Sequence, residues 1–372
     1  MIGGMPSAPA AAPKEALVSP APGRSSTARR RAALVPFLAL FTSLVFCALL
    51  LLMAGYNPLT VYHALWSGAV TGQSAFANTL VSTTPYLLLG LAVALGFKGG
   101  LFNIGAEGQY IVGAIGAVWA GNLFDGAPAM LLAAFALLVG TIAGALYAAI
   151  AGVLKVVSGA HEVITTIMLN YVAAFLVSWL VDFGGIMHGA GQIQQSYYIN
   201  PGAQLPIIWP GTPLHAGLVI ALAGAAAYYL LVWRTTWGFQ LRAVGLNPTA
   251  ARSAGVSIRR VTIWVMATSG ALSGLAGAVQ ITGLQHVLPD PFGSGFGFDA
   301  IAVAIIGMGN PVGIVLAGLL LGALHNGATT MEASAGISGP FVNVIEASIL
   351  FFVAAPIIIR WIYFRWRRSR AA

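Results

Sequence analysis

RTTWGFQLRAVGLNPTAARSAGVSIRR, residues 234–260, decides how this chain is read. It holds five basic residues (Arg234, Arg242, Arg252, Arg259 and Arg260), no acid, and an apolar segment of membrane length on each side. Within it Asn247-Pro248 marks a helix start: an Asn side chain caps the first turn, and Pro takes the first helical position, where no amide donor is needed. Thr249 to Ser253 then makes one short turn or two, and Gly255 is placed to end it. A short capped helix on a basic loop suits a membrane subunit that plugs into a soluble partner. The plainer reading is that the loop only obeys the rule that keeps positive charge inside. On composition both stay open.

Outward from this loop the chain is apolar almost throughout. Hydrophobic residues make up 58% of it and charged residues 7%, with a mean hydropathy of +0.87. A soluble domain of 372 residues cannot cover its surface with so few polar groups, so the expected class is an all-α polytopic membrane protein. The single cysteine, Cys47, lies in an apolar run, which excludes an intrachain disulfide and a cysteine metal site. The 46 glycines predict helices packed closely through small residues.

Residues 1–32 are rich in Pro, Ala and Ser and end in Arg29, Arg30 and Arg31, which reads as a disordered cytoplasmic tail. A signal peptide is the competing reading, but the run from Ala33 to Gly55 is too long for one and no small-residue cleavage site clearly follows. Further apolar segments fall at 78–97, 104–121, 129–154, 162–184, 214–233, 261–283, 298–309, 311–328 and 341–359, giving ten with the first. The segment 298–309 is short for a span. Reading it as a half-helix leaves nine crossings and puts the basic tail, 361–372, outside, against the positive-inside rule. With ten crossings and the N-terminus inside, all 17 Lys and Arg fall on the cytoplasmic side, including Lys98 and Lys155. The outer loops then hold Asp125, Asp182, Asp290 and Glu332 and no base. That asymmetry explains the net charge of +8 without nucleic acid. The longest outer loop, 185–213, with Tyr197 and Tyr198, reads equally as a lid, a docking surface or a connector.

Two Gly-rich segments spotted with polar residues lie inside the membrane: GGLFNIGAEGQYIVGAIG, residues 99–116, and GFGFDAIAVAIIGMGNPVG, residues 295–313. Each pairs Phe with Asn or Asp (Phe102-Asn103, Phe298-Asp299) ahead of a small-residue helix. They open the third and eighth of ten helices, which run oppositely. That fits a five-plus-five inverted repeat whose broken helices frame a substrate path.

Three acids sit in membrane segments: Glu107, Asp299 and Glu346. An ionisable group there costs several kcal/mol unless paired or hydrated, which makes each a functional candidate, although a helix N-terminus also favours negative charge. Asn103, Gln109, Tyr110, Asn170, Gln280 and Asn326 are neutral polar groups suited to line a pathway or to hold helices together. The candidate pathway set is Asn103, Glu107, Gln109, Tyr110, Asn170 and Asp299.

Several enzyme motifs fall away. His161-Glu162-Val163-Ile164-Thr165 begins like a zinc-protease helix but lacks its second histidine. Gly336-Ile337-Ser338-Gly339 matches an intramembrane serine-protease string, yet Pro340 follows at once and no base is placed. None of the three lysines follows a glycine, so no GxxxxGK[ST] phosphate loop exists. No catalytic residue, metal site or cofactor is expected.

At these residues the chain resembles the permease subunits of ATP-binding-cassette importers, in the branch with ribose, branched-chain amino acid and nucleoside permeases. Phe102 to Gln109 resembles the FNIGAEGQ signature of the nucleoside and simple-sugar group, and Glu162-Val163-Ile164 with Met168 to Tyr171 resembles its NEVIxTxMLNY helix. Arg234 to Gly255 resembles the cytoplasmic coupling region, through Gly238, Leu241 to Gly245, Asn247 and Ala250-Ala251. The resemblance covers roughly residues 35–360; His161 stands where the pattern usually has Asn. It implies a permease domain over 33–360 in a bacterial plasma membrane with both termini cytoplasmic. The implied partners are two ATP-binding cassettes, a second homologous permease and an extracytoplasmic substrate-binding protein. Nucleosides are the implied substrate, sugars the runner-up. Arg242, Gly245, Asn247, Ala250, Ala251, Arg252 and Gly255 become the expected ATPase-coupling residues. A self-contained ion-coupled transporter and an intramembrane hydrolase using Ser338 are the alternatives from other classes.

Overall fold

The computed structural model describes residues 41–124, 126–293, 295–337 and 340–354. Both tails, Asp125 and Ser338 lie outside that range, and of Glu346 only its place in the last helix is described. The described residues fold into α1 (Phe41–Met53), α2 (Pro58–Val70), α3 (Gln73–Lys98), α4 (Ala106–Gly121), α5 (Ala129–Ser158), α6 (Glu162–Val181) and α7 (Gly217–Arg234). There follow α8 (Thr236–Leu246), α9 (Pro248–Ser253), α10 (Ile258–Gln280), α11 (Phe296–Ile306), α12 (Pro311–Ala335) and α13 (Pro340–Ala354). A π turn, Ile281–Gln285, extends α10. β pairing among these residues is limited to three isolated bridges. Among the described residues six helices are long and apolar enough to cross a membrane: α3, α5, α6, α7, α10 with its π turn, and α12.

Helices coincide with all ten apolar segments, and two further ones were not expected. α2 begins at Asn57-Pro58, where Asn57 accepts a hydrogen bond from the Leu59 amide at 3.0 Å. The same Asn-Pro start recurs at α9 and α12, capped by Asn247 on Ala250 (3.1 Å) and by Asn310 on Val312 (3.0 Å). Residues 234–260 hold two helices rather than one, because Thr235 caps α8 through the Gly238 amide at 3.0 Å. α8 buries Leu241 and Val244 on one side and leaves Phe239 and Leu246 exposed on the other.

α3 is the central post. From Thr83 to Gly96 every residue is buried, the pattern of a helix that is apolar all round and enclosed by others. α4, α5 and α10 cross through glycine. A Cβ added at Gly277 would overlap the Tyr110 carbonyl, and one at Gly113, Gly144 or Gly270 would overlap the facing helix backbone. This is the close packing the glycine content predicts, and the contact energy comes from dispersion between touching backbones.

The loop 185–213 is docked, not free. Its backbone bonds to the chain beyond α10 through Leu205 to Thr282, Ile199 to His286 and Ser196 to Leu288 (2.7–2.9 Å), and it accepts at Gln194 from Asp290 at 3.0 Å. At the opposite end of α6, Lys155 pairs with Glu162 at 2.6 Å, and His161 caps α6 through Nδ1 to the Val163 amide at 3.3 Å. His161 thus does the capping that an Asn would do there.

Candidate functional site

The first Gly-rich segment turns at Gly100, whose φ of +72° a side chain would resist, and runs irregularly to α4. Asn103 is fully buried in this turn and every polar atom of its side chain is used. Its Oδ1 accepts from the Gly105 amide at 2.9 Å and from Gln109 Nε2 at 3.0 Å. Its Nδ2 donates to Gln109 Oε1 at 3.0 Å and to Ser269 Oγ at 2.8 Å, and Ser269 in turn donates to the Ala92 carbonyl at 2.7 Å. Asn170 reaches in from α6, accepting from the Gly108 amide at 2.8 Å and donating to the Ile104 carbonyl at 2.9 Å. Buried amides that reciprocate in this way satisfy the orphan groups of a broken helix, and α3, α6 and α10 are tied to the start of α4.

The second Gly-rich segment starts α11, and its N-terminus abuts that of α4. A Cβ at Gly297 would overlap the Glu107 backbone, so only glycine permits the approach. The Glu107 carboxylate accepts from the amides of Gly295 (3.2 Å) and Gly297. A negative charge from one helix therefore caps the positive end of another. Tyr110 stacks on Phe292 with centroids 5.0 Å apart at 10°. Phe296 stands edge-on to Tyr86 (5.0 Å) and against His325 (5.3 Å). The Tyr86 hydroxyl donates to Asp299 Oδ2 at 3.3 Å and lies 3.4 Å from His325 Nδ1.

Asp299 thus meets the middle of α3, since Tyr86 is flanked by 13 residues before it and 12 after it in that helix. At 1.5 Å per residue this is about 20 Å from either end of a helix long enough to cross a membrane. α11 then runs beside the second half of α3. A Cβ at Gly90 would press on Val303, and Gly309 beyond α11 lies against Lys98 at the end of α3.

The residues expected to couple to an ATPase lie on and around α8 and α9. α9 ends in a Schellman turn, Val256 amide to Ala251 carbonyl (3.0 Å) and Gly255 amide to Arg252 carbonyl (2.9 Å), with Gly255 at φ +80° as its position demands. Ala250 and Arg252 are exposed, and Arg242 is half-buried. Ala251 is buried against the core cluster. Gly245 also faces inward, where a Cβ would overlap the Lys98 carbonyl; its α-carbon lies against Gly100.

Asn103, Gln109 and Asn170 are thus gathered at one helix start, and Glu107, Tyr110 and Asp299 around the next. Sequence reasoning passed over Tyr86, Phe296 and His325. The signal for His325 was present: a histidine in an apolar segment carries the same cost as the acids that were singled out. Acceptors and aromatic faces at mid-depth suit the binding of a polar, partly planar solute.

Comparison with known proteins identifies the family. The family described as branched-chain amino acid transport system / permease component matches residues 75–359. The guanosine ABC transporter permease protein NupP of Bacillus subtilis is 38% identical over 91% of this chain and 97% of its own length. The nucleoside ABC transporter permease protein NupB of Lactococcus lactis is 34% identical over 89% and 93%, and the glucose ABC transporter permease protein TsgB13 of Haloferax volcanii is 34% identical over 86% of each. No solved structure matches. A match over most of the chain, an all-helical fold with membrane-length helices and the broken starts of α4 and α11 lead to one conclusion: this multi-pass membrane protein belongs to the permease family of branched-chain amino acid-type transport systems.

Proposed function

We propose that the chain is the membrane-spanning subunit of an ATP-binding-cassette importer for nucleosides, driven by ATP hydrolysed on partner subunits. The observation that carries the substrate is its similarity along most of its length to chains named as guanosine and nucleoside permeases. Its partners are two ATP-binding cassettes, a second permease of the same family and a binding protein outside the cell. The exposed face of α8 and α9, with Phe239, Leu246 and Ala250 rimmed by Arg242 and Arg252, is the proposed ATPase contact.

In this reading the domain covers 33–360 with cytoplasmic tails at 1–32 and 361–372, and the chain crosses the membrane ten times. α11 has only 11 residues, about 16 Å at 1.5 Å each, half the hydrocarbon thickness. The irregular stretch after the π turn, which buries Leu288 and Phe292, would complete that crossing, since non-helical backbone at that depth has to be covered by protein. α4 mirrors it, irregular first on the side of Lys98 and helical afterwards. That opposition supports the five-plus-five inverted repeat.

The test is uptake in vesicles carrying the permease pair and ATPase, with the binding protein added outside. Labelled guanosine is expected to enter only with ATP inside. Uptake of glucose but not guanosine would move the substrate to sugars. Guanosine uptake by the permease alone on an ion gradient would sink the importer reading.

A further inference from the structure

Glu107 and Asp299 differ in how their carboxylates are served. Both oxygens of Glu107 are taken by backbone amides of α11. Asp299 receives one hydrogen bond among the described residues, from Tyr86 at 3.3 Å, and its side chain is half-buried. An ionised carboxylate accepts at about four lone-pair sites, so Asp299 retains most of its capacity at the depth where unmet capacity costs most. Beside it His325 is also half-buried, and its ring contacts Phe296 and Tyr86. The group is therefore an acceptor, an amphoteric ring nitrogen and an aromatic wall, contributed by α11, α12 and α3.

We propose that Asp299, oriented by Tyr86 and assisted by His325, is the subsite that takes the adjacent ribose hydroxyls of the nucleoside in transit, with Phe296 as its apolar wall. A carboxylate matches two neighbouring O–H donors with its two oxygens. A mid-membrane contact of this kind replaces water lost by the sugar without holding it as a deep pocket does. Glu107 is not part of the subsite; it holds α11 in place. This inference rests on the nucleoside reading above.

The test compares maximal uptake rates of a ribonucleoside and its 2′,3′-dideoxy analogue at concentrations that saturate the binding protein with either, so that the ratio reports the permease. The wild-type chain is expected to carry the ribonucleoside about tenfold faster, the equivalent of one charge-assisted hydrogen bond. Asp299→Asn keeps the shape and should bring the ratio close to one, and Tyr86→Phe, which removes only the orienting hydroxyl, should bring it part of the way. Glu107→Gln should slow both substrates and leave the ratio alone. An unchanged ratio in Asp299→Asn and Tyr86→Phe, or a wild-type ratio near one, overturns the subsite while leaving nucleoside transport intact. If the wild-type chain carries no nucleoside at all, the substrate reading fails and the subsite with it.

Discussion

The two broken helix starts are built from similar residues and finished differently. At α4 the turn is closed: Asn103, Gln109, Ser269 and Asn170 use one another and the backbone, and the side chain at the centre has no exposed surface. At α11 the backbone is closed by a carboxylate from α4, but the acid one turn on, Asp299, is held by a single long bond. A saturated network resists change because each broken bond strands a buried group at about 1–3 kcal/mol. An acid held by one long bond can exchange partners at little cost. α4 supplies the fixed half of the pair and α11 the half that carries the proposed subsite.

The largest effect should come from breaking the closed half. Asn103→Ala leaves the Gly105 amide and both ends of the Gln109 side-chain amide without their partner and removes the donor to the Ser269 hydroxyl, which keeps its bond to Ala92, so a loss of about 3–5 kcal/mol is expected. Thermal unfolding of the detergent-solubilised protein should show a large drop, with little folded protein recovered. A variant as stable as the wild type would mean that water replaces the network and that α4 is as open as α11.

A smaller effect is expected where the halves meet. Glu107→Gln keeps one acceptor but turns an N–H donor toward a backbone amide, so one of the two bonds to α11 is lost, at about 1.5–3 kcal/mol for a charged acceptor. Uptake should fall several-fold while the protein still inserts and still recovers the ATPase in pull-down. Unaltered uptake would show that contact between the helices through Gly297 suffices and that the carboxylate is incidental.

How much of this could be read in advance differs between the regions for a physical reason. Helix starts are local, so Asn247-Pro248 and Gly255 announced α9 down to its Schellman turn, and the same reasoning would have found α2 at Asn57-Pro58. Glycine content announced the close crossing of α4, α5 and α10 but not which glycines meet, since that depends on register across helices. Phe102 to Gln109 and Asp299 stood out as polar residues in apolar runs. Tyr86 did not, because a tyrosine within an apolar helix looks like packing until its hydroxyl is seen beside Asp299. The separate roles of Glu107 and Asp299 were out of reach, because their partners lie 188 and 213 residues away in the chain.

The contrast extends to α8 through Gly245. This glycine of α8 lies against the Lys98 carbonyl and Gly100, the turn that leads directly into Asn103. α8 therefore presses on the turn before the closed start, and Lys98 lies against Gly309 just beyond α11. Gly245→Val must push the α8 backbone away from that turn, with an overpacking cost of about 1–3 kcal/mol. The complex should still assemble and hydrolyse ATP, but uptake per ATP should fall. Equal coupling in variant and wild type would mean that movement reaches α4 by another route.

The smallest effect is expected at α9, whose cap is its own. The starts of α4 and α11 depend on side chains from other helices, so losing one loosens a junction. Asn247 is the residue next to the helix it caps, through a single bond to the Ala250 amide at 3.1 Å. Asn247→Ala removes that bond at about 1 kcal/mol. Pro248 still fixes the first helical φ, and the Schellman turn at Gly255 still closes the other end. The loss should stay within the six residues: faster hydrogen exchange at the Ala250 amide, unfolding temperature nearly unchanged, and uptake above half the wild-type rate. Asn247→Asp, which keeps an acceptor, should restore the slow exchange. If Asn247→Ala abolished uptake while ATPase recovery stayed normal, the side chain would have to act beyond its own helix. α9 would then belong with the junctions and not with the self-contained elements.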